Sequence, residues 1–154
     1  IGAGDMQLIS AGQRGMRHQE TNPRAVPEAH YQLWFIPERS DTGFAYHELK
    51  PSAEERRGWF YPYVSPDGRG DTMPLHTDAF VSAGLFSPDD HASHDLSPGR
   101  GAWVQVVDGT VSVGGVTLRT GDGAGFTASD TLDFSFDEDS EVLLVDVRMD
   151  APRI

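Results

Sequence analysis

His18 and Glu20 stand two residues apart in the run Met16-Arg17-His18-Gln19-Glu20. Alternate residues of an extended strand share a face, so Met16, His18 and Glu20 would point one way and Arg17 and Gln19 the other. Two positions along a strand span ~7 Å at Cα, so both side chains can converge on one ion. An imidazole and a carboxylate with open positions beside them suit Fe(II) or a similar divalent metal. The same spacing also describes a solvated pair on a surface strand, and spacing alone leaves both readings open.

The other histidines offer less. His76 and Asp78 would share a strand face, which reads as a hydrogen-bonded structural pair. His91 and His94 lie in Asp89-Asp90-His91-Ala92-Ser93-His94-Asp95, which reads as a solvated acidic loop able to catch a metal from the buffer. His30 and His47 have no partner that the sequence identifies. No Gly-x-Ser-x-Gly, phosphate-binding loop or dinucleotide fingerprint occurs. The glycine-rich run Gly121 to Gly125 falls between strands with no helix after it, so it reads as a turn.

Strands must position these groups. His30 to Ile36 (HYQLWFI) is apolar on both faces, like a central strand, and Pro37 ends it. A short strand over residues 5–9 and another over Phe44 to Leu49 are expected. Ser52 with Glu55 has the capping-box spacing, which predicts one or two helical turns. Pro62 restricts the aromatic run Trp59 to Val64 to an edge or a linker, and Ser65-Pro66-Asp67-Gly68 is a turn by composition. Leu75 to Phe86 alternates loosely, and Ser87 to Gly101 is loop-rich. Trp103 to Val107 leads into Asp108-Gly109, a strong hairpin signal that predicts positive φ at both residues. Gly114-Gly115 is a second signal of that kind. Leu132, Phe134 and Phe136 alternate with polar residues, and Val142 to Val145 is apolar throughout. Many short strands at regular spacing predict an all-β sandwich or barrel.

The chain has 154 residues and 38% hydrophobic residues, enough for a real core. Its net charge of −12 disfavours nucleic acid and anionic membrane surfaces. The absence of cysteine excludes disulfides, thiolate metal sites and cysteine nucleophiles. No apolar run approaches a membrane span. No signal-peptide pattern follows Ile1, so a cytoplasmic location is the default expectation. Ile1 to Asp5 reads like a turn inside a fold, which predicts a chain that begins partway through a larger protein.

The run "WVQVVDGTVSVGGVTLRTGDG" followed by "SEVLLVDV" resembles the last domain of the pirin-like proteins, which are bicupins built from two small β-barrels. "GDMQLISAGQRGMRHQE" resembles the second cupin motif of that family's first barrel, "HYQLWFIPE" the strand after it, and "SPDGRGDTMPLHTD" the start of the second barrel. The likeness runs from Gly4 to about Val147. It implies an incomplete first cupin barrel over residues 1–50, a linker over 51–72 and a complete second barrel over 73–150. The family's first cupin motif, a His-x-His pair on an earlier strand, is absent here. The stretch between Ala11 and His18 is also one residue longer than usual.

By that resemblance three His and one Glu hold a mononuclear metal, Fe(II) before other divalent ions. His18 and Glu20 match the third His and the Glu. The resemblance also implies quercetin 2,3-dioxygenase activity. A flavonol hydroxyl would lose its proton to Glu20, and dioxygen would cleave the central ring with release of carbon monoxide. Trp34 and Phe35 lie close enough in sequence to line an aromatic pocket, although core packing is the ordinary fate of such side chains. An alternative is a non-catalytic, metal-dependent binding module that partners transcription-related proteins. A barrel remnant without metal is a third reading. Two ligands in place of four predict weak metal binding and little activity for the 154-residue chain alone. They also predict apolar edges in need of cover from a protein partner or an upstream fragment.

Overall fold

Strands dominate the computed structural model, which describes residues 1–38, 42–127 and 131–150. In chain order they are β1 (Met6–Ala11), β2 (Phe44–Leu49), β3 (Tyr61–Ser65), β4 (Met73–Pro74), β5 (Ala79–Phe86), β6 (His91–Asp95), β7 (Arg100–Asp108), β8 (Thr110–Val113), β9 (Val116–Arg119), β10 (Gly123–Phe126), β11 (Thr131–Phe136) and β12 (Ser140–Arg148). They form three sheets: β1-β2, the six-stranded β10-β7-β12-β5-β3-β4, and the four-stranded β6-β11-β8-β9. All pairings are antiparallel except the short β3-β4 contact. The fold is all-β, as the spacing of short strands predicts.

Period-2 patterning builds the core. Val104 and Val106 of β7, Val111 and Val113 of β8, and Leu132, Phe134 and Phe136 of β11 point between the six- and four-stranded sheets. The other face of the six-stranded sheet is apolar as well, through Tyr63, Val81, Leu143 and Val145. Met6, Leu8, Phe35 and Leu49 pack on that second face. The small β1-β2 sheet is therefore a third layer, and β12 is buried on both sides. The Tyr63 hydroxyl donates to the Gly4 carbonyl at 2.6 Å and ties the layers together. Arg56 is also buried; it pairs with Glu141 at 2.6 Å and lies against the Gly4 backbone, leaving no room for a Cβ.

Local signals hold where local chemistry decides. Ser52 and Glu55 form the capping box, with the Ser52 amide donating to Glu55 Oε2 at 2.8 Å, over a single 3-10 turn at Glu54–Arg56. Gly114 and Gly115 both have positive φ, 54° and 79°, and join β8 to β9 with Val113 opposite Val116. That is a two-residue hairpin of the mirror-image type.

Asp108-Gly109 is not a hairpin. β7 pairs with β10 and β12, whereas β8 pairs with β9 and β11, so the dipeptide is a corner where the chain changes sheets. Only Gly109 has positive φ, 89°. A Cβ there would collide with Ser140, whose hydroxyl accepts from the Thr110 amide at 3.2 Å.

Three other expectations need correction. Residues 16–20 and 30–36 are irregular rather than strands, because no described strand offers them a ladder partner. Residues 91–95 form β6 rather than a loop, paired along β11. The stretch read as a linker, 51–72, supplies β3, which pairs with β5.

Candidate functional site

Two regions bring chemical side chains together. The first is the segment that carries His18 and Glu20. All of residues 16–20 are exposed, so no inner face is assigned to this pair. Glu20 Oε2 instead meets His30 Nε2 at 3.1 Å, with both side chains about half exposed (55% and 50%). Glu28 lies 4.0 Å from the other nitrogen of His30. Spacing does not identify this partner of His30: nine residues of irregular chain lie between it and Glu20, and no spacing rule covers such a link. Imidazole and carboxylate are suitable donors for a divalent ion. Yet the described residues hold no group of three or more His, Cys, Asp or Glu placed around one ion. The residues present therefore do not make a metal centre by themselves.

The exposed face of β1-β2 carries Gln7, Tyr46 and Glu48, with Lys50 just past the end of β2. Glu48 accepts from the Tyr46 hydroxyl, from Gln7 at 2.8 Å and from Lys50 at 2.9 Å. These bonds, Tyr46 foremost, hold its carboxyl down at about 2. Glu48 is thus a fixed anion near neutral pH, with no proton to exchange.

The second region lies at one end of the large barrel that the six- and four-stranded sheets form. β6 projects His94 inward, β12 projects Asp146, and the first residue of β7 is Arg100. His94 Nε2 lies 2.8 Å from Asp146 Oδ2. Arg100 Nε donates to Asp146 Oδ1 at 2.6 Å, and its Nη1 to Asp78 Oδ1 at 2.8 Å. Burial opposes the charge on Arg100, but its bonds to Asp78 and Asp146 outweigh burial and raise its pKa. The partner of Asp78 is therefore Arg100 and not His76, which has positive φ (61°) and is exposed. A carboxylate can only accept, so His94 Nε2 is the donor to Asp146 and Nδ1 is the ring's other hydrogen-bonding position. That nitrogen has no hydrogen-bond partner among the described residues.

His94 and Asp146 line a cavity of about 720 Å³, together with Trp59, Phe60, Phe80 and Arg69. Phe60 sits edge-on to Phe86 and Phe134, and the Trp59 indole donates to the Glu55 carbonyl at 2.8 Å. The Arg69 and Arg100 guanidiniums lie 5.7 and 5.2 Å from the Phe80 ring centre. Residue spacing does not bring this group together. One signal was available: Asp146 is a single acid inside the apolar run Val142 to Val147, the mark of a buried ion pair.

Residues 63–147 match the quercetinase C-terminal cupin domain. Quercetin 2,3-dioxygenase of Escherichia coli is 32% identical over 148 residues, 96% of this chain and 62% of that protein. A pirin-like protein of Caulobacter vibrioides is 32% identical over 146 residues, with 94% and 62% covered. Among solved structures, YhhW of Escherichia coli superposes with a TM-score of 0.86 at 32% identity, covering all of this chain and 63% of its own. The bacterial pirin YhhW in complex with nickel(II) gives 0.85, with 96% of this chain and 63% of that one covered. The chain spans about three fifths of the length of the relatives it matches. On these matches the chain belongs to the pirin-like family of cupin proteins and carries that family's quercetinase C-terminal cupin domain.

Proposed function

We propose that this chain is part of a metal-dependent dioxygenase of the pirin type, acting on a small aromatic substrate of the flavonol class. The observation that carries the reading is the 32% identity to a quercetin 2,3-dioxygenase along 96% of the chain, which takes in the stretch around His18 and Glu20. In this reading His18 and Glu20 are two of the ligands of one divalent ion. Their remaining partners come from outside the 154 residues. Fe(II) is the ion expected from the donor types, and the nickel(II) complex of the YhhW relative supports a divalent ion of this class. When bound, such an ion would supply Lewis acidity at the flavonol oxygen. Glu20 accepts the hydroxyl proton of the flavonol. Its link to His30 would then have to open, which a half-exposed pair allows at small cost, about 0–1 kcal/mol.

Quercetin-dependent oxygen uptake and elemental metal analysis test this on two samples, the 154-residue chain and the full product of its gene. Stoichiometric metal and turnover are expected in the full product and little of either in the chain. In the full product, His18→Ala should lower metal content, and Glu20→Gln should cut turnover by 100-fold or more, on the order expected for a lost general base. Full metal content and turnover in both variants would overturn the assignment.

A further inference from the structure

The geometry points to a second ligand site, in the large barrel: the cavity beside His94 and Asp146 binds a small, neutral, planar aromatic molecule bearing a hydroxyl group. It is built on strands other than those near His18 and Glu20, so it stands or falls apart from the dioxygenase reading.

Four observations select this ligand. At about 720 Å³ the space falls within the range of small-molecule sites. Its walls include Trp59, Phe60 and Phe80, which favour a flat aromatic body. Of the titratable side chains lining it, Arg69, His94 and Asp146, the one with a hydrogen-bonding position left over is His94, through Nδ1, because Nε2 is held by Asp146. Both oxygens of Asp146 are used, one by His94 and one by Arg100. A hydroxyl both donates and accepts, so it can meet that nitrogen whichever role the nitrogen takes, and it is the simplest such group that an aromatic ring carries. Finally, the cations near the cavity are already paired, Arg69 with Asp67 at 2.8 Å and Arg100 with Asp78 and Asp146. A carboxylate ligand would find no spare positive charge and would face Asp146, so the ligand is neutral.

Asp146 acts here as a positioning residue. It is buried (5% exposed), fixes the tautomer and orientation of His94, and is itself neutralised by Arg100. The arrangement binds and orients a hydroxyl.

The test uses 2-naphthol, 2-methoxynaphthalene and 2-naphthoate as probes on the isotope-labelled chain. Affinity is read by titration calorimetry and location by nuclear magnetic resonance shift mapping. Naphthol should move the Trp59 indole and the amides of Ser93, His94 and Phe80. The ether, which lacks the donor, should bind about tenfold more weakly, the size of one hydrogen bond. The carboxylate should bind more weakly again. His94→Ala should erase the preference for naphthol over the ether while leaving the ether's own affinity within about threefold. The comparison of probes on the unaltered chain stands even if that variant fails to fold. Equal binding of naphthol and ether, shifts that map elsewhere, or no binding of naphthol up to its solubility would overturn the site.

Discussion

β12 is buried on both faces between β5 and β7, whereas the segment His30 to Ile36 leaves Trp34 86% and Ile36 73% exposed. As strings of residues the two are close kin: HYQLWFI against VLLVDV, each apolar at even and odd positions. The difference is company. β12 has a hydrogen-bonded neighbour on each edge and a packed layer against each face. His30 to Ile36 has no ladder partner among the described residues, and only Phe35 reaches a core. Apolar content gives a segment the means to be a central strand; backbone pairing decides whether it becomes one.

The sharpest way to press this contrast is through one ion pair in each region. Arg100→Met would leave Asp146 buried without its guanidinium, and a loss of about 3–5 kcal/mol is expected from urea unfolding. Glu20→Gln, which breaks the half-exposed link to His30, should change stability by less than about 1 kcal/mol. Equal effects would mean that the two regions do not differ in burial as described.

Truncating one leucine in each region gives a smaller effect of the same sign. Leu144→Ala opens a cavity in the core and should cost about 2–5 kcal/mol. Leu33→Ala, at a side chain 42% exposed, should stay within about 0.5 kcal/mol. A large loss at Leu33 would reveal packing of that segment on another surface.

A last effect concerns Tyr63, which ties β3 to the turn before β1, and it shows only in alkali. Burial, ahead of its charged neighbours, pushes the Tyr63 hydroxyl up to about 12 from an ordinary value of 10.0. A group whose pKa rises on folding contributes stability below its unfolded value and loses it as pH climbs to the folded one. The natural chain should therefore lose stability between about pH 10 and 12. Tyr63→Phe should lack that decline, at the expense of its bond to Gly4 at every lower pH. Parallel pH profiles of the two proteins would exclude Tyr63 as the titrating link.

What was legible in the residues tracks how far apart the deciding groups lie. The Ser52-Glu55 capping box and the Gly114-Gly115 hairpin need only neighbours, and both are present. Asp108-Gly109 has equally strong turn chemistry, yet it marks a sheet change. A glycine's freedom at positive φ does not say which sheet the next strand will join, and the approach of Ser140 depends on a strand 30 residues away. The same limit hid the second site. His94 and Asp146 are 52 positions apart, and only the pairing of β6 with β11 and of β12 with β5 brings them face to face. His18 and Glu20 show the converse: their spacing is legible, but without a paired strand it fixes no geometry.

The place of β12 has a consequence for how the six-stranded sheet assembles. It lies inside that sheet although it is the last of the described strands, so β5 and β7 have their facing edges filled only when residues 140–148 pair with them. Its partners are distant in sequence, with Val145 opposite both Val81 and Trp103, so long loops must close before either ladder forms. Until then β5 and β7 each present one unpaired edge. A partly folded chain that lacks β12, more than the native one, is therefore the form open to edge-to-edge association.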